Sequence, residues 1–190
     1  NITNSLIHAC ILRTPSYGEN NFYHGITNEI RNCYLRDVTQ LHSSIVENCT
    51  GLQYANNVIL CSFKNNIFST YLYSPYGQAG SNNSIRNNVY NGNCPYYCIS
   101  SINYENNILL TEANTYAFGS LNVDNLHLLA ASAALTAGEN GTQVGVYGGL
   151  FPMKLGNVPS NPHIYQKTIS AATNTNGQLP VQIKVRAENY

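Results

Sequence analysis

The 190-residue sequence predicts an all-β fold, a solenoid of short stacked coils followed by a strand-turn-strand tail. Three observations predict it. One seven-residue phrase recurs six times: LIHACIL (Leu6 to Leu12), EIRNCYL (Glu29 to Leu35), IVENCTG (Ile45 to Gly51), SFKNNIF (Ser62 to Phe68), SIRNNVY (Ser84 to Tyr90) and NYENNIL (Asn103 to Leu109). The copies lie 16 to 23 residues apart, near the length of one solenoid coil. Asn is the commonest residue, Tyr occurs 15 times and Trp is absent. With few Lys and Glu, that composition disfavours helices and suits turns and strands.

Each coil follows from its letters. The second letter is apolar in every copy: Ile7, Ile30, Val46, Phe63, Ile85 and Tyr104. The third is polar: His8, Arg31, Glu47, Lys64, Arg86 and Glu105. An apolar residue followed by a polar one begins the period-2 pattern of a half-buried strand. The fourth letter, Ala9 and then Asn32, Asn48, Asn65, Asn87 and Asn106, places a corner there, because Asn tolerates the left-handed conformation of a bend. That corner turns the fifth letter inward: Cys10, Cys33 and Cys49, continued by Asn66, Asn88 and Asn107. A second, mostly apolar column follows at Leu12, Leu35, Gly51, Phe68, Tyr90 and Leu109, with Leu12, Leu35, Phe68 and Leu109 expected inside. A unit this short cannot bury its own apolar face and must stack on its neighbours, so each letter becomes a ladder.

Small thiols pack well inside such a stack, and Asn hydrogen-bonds to the rungs above and below. Cys10, Cys33 and Cys49 are therefore expected as free thiols. Rungs about 4.8 Å apart lie within reach of a disulfide, so spacing alone does not decide the point. Cys61, in the apolar run VILC, reads as a core thiol, whereas Cys94 and Cys98 flank a Pro turn and suit a small loop disulfide in an oxidising compartment.

The repeated coils resemble those of right-handed parallel β-helix proteins, the pectate lyase-like superfamily. The stretch LHLLAASAALTAGENGTQVGVYGGLFPMKLGNVPSNPHI, Leu126 to Ile164, resembles the closing segment of a secreted bacterial subset with the pattern H-L-x-x-x-S-P-A-I-x-A-G-x-x-G-T-D-I-G-x-Y-G-G. Ala133 and Gln143 depart from it, where Pro and Asp are usual. The resemblance covers about residues 1 to 165 and implies an extended final coil where Leu- and Ala-rich propensity alone suggests a short helix. It also implies a secreted location, whether extracellular, on the cell surface or periplasmic. Residues 1–165 are thus read as coils and closing segment, and 166–190 as the tail, in which Asn176-Gly177 gives a hairpin signal between alternating runs. The chain opens directly in a coil phrase, which favours a C-terminal portion of a longer protein, with upstream coils or another subunit covering the first rung.

The composition also narrows function. Charged residues are 9% of the chain, with nine acidic against nine basic, which argues against nucleic acid as a partner. No apolar run approaches the length of a membrane span. Superfamily lyases hold calcium with clustered carboxylates, but Asp37 and Asp124 are the only Asp residues and lie far apart. No paired carboxylates, metal-spaced histidines, nucleophile elbow or phosphate loop is visible, so no catalytic residue, metal or cofactor is expected. The third-letter row reads as an exposed charged ladder that keeps the sheet soluble. The insertion Ser69 to Asn83 carries Tyr71, Tyr73 and Tyr76, and the next coil adds Tyr96 and Tyr97. Insertions at equivalent corners stack on one side of a solenoid, and aromatic faces stack on sugar rings. These five tyrosines are the expected substrate-binding residues of a surface protein that contacts polysaccharide without catalysis. The alternative is the C-terminal part of a polysaccharide lyase or glycoside hydrolase with its catalytic coils upstream.

Overall fold

The structure, a computed structural model, describes residues 2–12, 22–73, 82–91, 101–117, 119–122, 125–150, 152–153 and 163–186. The chain divides into two compact units, Asn1–Met153 and Lys154–Tyr190.

The first unit is a parallel β-solenoid. In chain order its strands are β1 (Ile2–Thr3), β2 (Leu6–His8), β3 (Phe22–Ile26), β4 (Glu29–Arg31), β5 (Asp37–His42), β6 (Ile45–Glu47) and β7 (Thr50–Asn56). There follow β8 (Ser62–Lys64), β9 (Ile67–Tyr73), β10 (Asn83–Arg86), β11 (Val89–Tyr90), β12 (Ser101–Glu105) and β13 (Ile108–Leu109). Odd-numbered strands form a seven-stranded sheet and even-numbered strands a six-stranded one, and the strand pairs of both are parallel.

Register follows the phrase. Ile7, Ile30, Val46, Phe63, Ile85 and Tyr104 pair in one continuous row across β2, β4, β6, β8, β10 and β12. Ile30, Val46, Phe63 and Ile85 are fully buried. The fourth letter turns the chain as expected: Ala9, Asn32, Asn48, Asn65, Asn87 and Asn106 all have φ between 51° and 57°. Beyond this corner, Leu35, Phe68 and Tyr90 are buried, and Leu12 packs half-buried against the same core. Leu109 is the exception, at 58% exposed rather than inward, because among the described residues β13 is the last strand of its sheet. Phe68 and Tyr90 stack with centroids 4.8 Å apart, the interval of neighbouring rungs. Gly51 breaks the apolar column because a Cβ there would lie 2.5 Å from the Tyr34 ring, and its φ is 92°.

The inward fifth letter forms the expected ladder. The Asn88 side chain accepts from the Asn66 backbone N–H through Oδ1 and donates to the Phe63 carbonyl through Nδ2. Asn107 repeats both contacts on Asn88 and Ile85, and Asn66 does so on Cys49 and Val46. Each amide therefore ties its own rung to the preceding one. Cys33 and Cys49 continue the column as buried free thiols that donate weakly to main-chain carbonyls. Burial pushes the Cys49 thiol well above its ordinary range and the Cys61 thiol up to about 11. A second corner was not foreseen. Asn4, Thr27, Ser43, Leu60 and Asn82 also have positive φ, and Asn28, Ser44 and Asn83 accept from the main chain of the preceding rung at Ser5, Asn28 and Cys61.

Over its described residues the closing segment is extended rather than helical, apart from single 3-10 turns at Ala133–Leu135 and Glu139–Gly141. Its described residues add no rung to either sheet. Instead it lies on the outer face of the odd-numbered sheet, where Val144 and Ala134 pack with Ile67 and Val89. The second unit is an antiparallel hairpin of β14 (His163–Ile169) and β15 (Val181–Arg186). Its loop is closed by Asn174, whose Oδ1 accepts from the N–H groups of Asn176 and Gln178, with Gly177 at φ 75°.

Candidate functional site: a charged groove beside the asparagine corner

The outward third letters stand in register: His8, Arg31, Glu47, Lys64, Arg86 and Glu105 occupy successive even-numbered strands. They were expected as an exposed ladder, and the register holds. Exposure holds at His8 and Glu105 but fails at Glu47, which is only 8% exposed. Its carboxylate is enclosed by two cations: Oε2 meets the Arg31 guanidinium, and Oε1 lies 3.0 Å from Lys64 Nζ. Arg31 also pairs with Glu29 at 3.1 Å, and Lys64 with Glu139 at 2.9 Å.

Glu139 comes from the closing segment, and the corner asparagines bring it there. Asn65 Oδ1 accepts from the Glu139 N–H, and the Asn65 carbonyl accepts from the Gly145 N–H. Asn32 Nδ2 donates to the carbonyls of Val146 and Gly148. Thr50 Oγ1 accepts from the Val146 N–H. Between Asn32 and Asn65, the Asn48 amide lies against Gly148 and Gly149, where a Cβ on Gly149 would come 2.3 Å from Asn48 Nδ2. The Gly pair thus does more than supply a turn: it lets the segment close over the corner column. The Lys64 hydrogen bond holds the Glu139 carboxyl below its ordinary range.

The result is an open groove of about 940 Å³ along part of the ladder, with His8, Arg31, Glu47 and Lys64 as floor and Glu139, Asn140, Thr142, Gly149 and Leu150 as one wall. Its chemistry is that of balanced charges and amides. Both Glu47 oxygens and the described contacts of Lys64 are engaged in ion pairs, so neither stands as a poised base. Among the described residues no group of three His, Cys, Asp or Glu side chains is gathered for a metal. No described helix is long and apolar enough to cross a membrane.

Of the expected substrate-binding tyrosines, Tyr71 and Tyr73 belong to β9, but their side chains lie outside the described residues, as do Tyr76, Tyr96 and Tyr97 entirely. Cys94, Cys98 and Asp124 also lie outside them. Sequence reasoning missed Glu139, which stands 75 positions from Lys64, and no local signal links the two. No family model, curated protein or solved structure matches this chain.

Proposed function

We propose that this chain belongs to a secreted or surface bacterial β-helix protein of the right-handed, pectate lyase-like type, and that it holds an extended polysaccharide without cleaving it. The observation that carries the reading is the groove itself. It runs along a row of polar side chains repeated at the rung interval of about 4.8 Å, which suits a linear polymer with regularly spaced hydroxyls. Its floor offers carboxylate acceptors and ammonium and guanidinium donors side by side, and its corner offers amides. Sugar hydroxyls both donate and accept, so they match such a mixed lining. The tyrosines Tyr71, Tyr73, Tyr76, Tyr96 and Tyr97 extend the proposal as a stacking platform for sugar rings.

Catalysis is not part of the proposal. Glu47 is paired with Arg31 and Lys64, and the Lys64 hydrogen bond lowers the Glu139 pKa, whereas a general acid in glycoside hydrolysis needs a raised one. A panel of soluble polysaccharides in native affinity gels tests the reading. The purified chain is expected to be retarded by at least one polysaccharide and to release no reducing ends or unsaturated products from it. Replacing Tyr73 and Tyr97 together by Ala is expected to weaken retardation while leaving the far-ultraviolet spectrum unchanged. Product release by the chain would overturn the non-catalytic assignment.

A further inference from the structure

We propose that the sulfurs of Cys10 and Cys33 form a two-coordinate site for a thiophilic monovalent cation such as copper(I), held between neighbouring rungs inside the solenoid. The site is separate from the groove and does not depend on glycan binding.

The argument begins with register. His8 pairs with Arg31 and Ile11 with Tyr34, so Cys10 and Cys33 stand opposite each other on adjacent parallel rungs. Cys49 continues the column, between the Arg31–Glu47 and Tyr34–Thr50 pairs. All three are free thiols. Parallel rungs in register hold equivalent atoms about 4.8 Å apart. A disulfide needs its two Cβ atoms closer, at about 3.5–4.5 Å, so this arrangement disfavours a bridge. Two collinear metal–thiolate bonds of about 2.3 Å span about 4.6 Å, which fits the rung interval without moving the backbone. Three sulfurs in a row do not surround an ion, in keeping with the absence of any gathered group of three ligands among the described residues. Consecutive pairs in such a row suit the linear coordination of a soft, filled-shell cation, for which thiolate is the preferred ligand.

The second observation concerns the surroundings of the sulfurs. A metal binds the thiolate rather than the thiol. The hydrogen bond from the Cys49 thiol, helped by the Cys10 thiol, holds the Cys33 thiol below its ordinary range against the opposing effect of burial. Cys49 itself is pushed well up by burial and stays protonated. Cys33 is therefore the anchoring ligand. Cys10, only half-buried, is the second ligand and the point of entry. Both belong to the apolar core with Ile7, Leu12 and Ile30, which suits a soft ion and turns away hydrated hard cations. Binding exchanges two S–H protons, released to solvent, for one cation and two metal–sulfur bonds. The bis-thiolate keeps one negative charge, which the Cys49 thiol disperses by donating to Cys33. Cys61 is the internal control, because the equivalent places on its neighbouring rungs hold Ser44 and Asn83 instead of thiols.

The test loads the full chain with copper(I) buffered by bicinchoninate. Cys94→Ser and Cys98→Ser are present throughout, so that the loop thiols do not compete. Native mass spectrometry and X-ray absorption are expected to show one copper(I) per chain with two sulfur neighbours, and loading is expected to protect Cys10 from alkylation. Cys10→Ser, at the half-buried rim, and Cys33→Ser are each expected to weaken retention about a hundredfold, whereas Cys61→Ser leaves it unchanged. Far-ultraviolet spectra check that each variant folds, and if Cys33→Ser does not, Cys10→Ser decides. Undiminished retention by the Cys10→Ser chain, or an equal loss in Cys61→Ser, would overturn the site. Nitrogen or oxygen neighbours at the metal would overturn it too. So would a Cys10–Cys33 disulfide formed with oxidised glutathione, since the rung spacing would then not exclude a bridge.

Discussion

The inward amide column and the outward charged row are written by letters two positions apart in the same phrase, and they have opposite energetics. In the inward column, each of Asn66 and Asn88 makes its hydrogen bonds to the protein on both sides, and both are fully buried. Groups satisfied in this way contribute stability and leave nothing for a ligand. The outward row is half-covered: Glu47 is enclosed, Arg31, Lys64 and Arg86 are half-buried, and His8 and Glu105 are open to solvent. The rung spacing is common to both columns. What separates them is whether neighbouring rungs saturate the polar groups: the inward column is closed by main-chain and amide partners, whereas the outward one is held by side-chain ion pairs.

The sharpest way to break this comparison is to remove one inward amide. Asn88→Ala strips the partners from the Asn66 N–H and the Phe63 carbonyl in a dry interior, and is expected to cost about 3–5 kcal/mol in denaturant titration. A loss below about 1 kcal/mol would show that the ladder is incidental to stability. A smaller effect contrasts two buried carboxylates. Glu47 is enclosed by Arg31 and Lys64, whereas Asp37, 4% exposed, lies 3.9 Å from the Arg36 Nε, and burial raises its pKa to about 6. A carboxyl whose pKa is higher folded than unfolded disfavours the folded state when ionised. Its penalty is full above pH 6 and fades as pH falls toward 4. The melting temperature is therefore expected to rise between pH 7 and pH 5. Asp37→Asn is expected to flatten that slope and stabilise the chain by about 1–2 kcal/mol at pH 7. A variant that melts lower at pH 7 with the slope intact would contradict the assignment.

Much of the inward architecture was legible because every rung repeats it. Six copies of the phrase align the apolar row, the positive-φ corner at Asn32, Asn48 and Asn65, and the thiol-to-amide column, and the structure places each of these as the letters require. The hairpin was legible from Asn176-Gly177 and the alternation around it. The second corner was not, because its residues share no single chemistry: Asn28, Ser44, Cys61 and Asn83 occupy equivalent places with an amide, a hydroxyl and a thiol. The groove was the least legible feature. Its floor comes from successive coils, but its wall comes from Glu139 and its neighbours, docked by long-range hydrogen bonds from Asn32 and Asn65 that leave no periodic trace. The closing segment docks on the corner column instead of continuing the stack, and Arg31 and Lys64 enclose a carboxylate that the sequence suggested was exposed.

Hydroxyl-radical footprinting of the full chain, with and without a retained glycan, tests the central claim most directly. The account predicts that protection concentrates on the groove, at Lys64, Glu139, Asn140 and Thr142, while Ile183 and Val185 of the hairpin, each at least half exposed, keep their reactivity. Protection confined to the hairpin, with the groove residues as reactive as in the free chain, would contradict it.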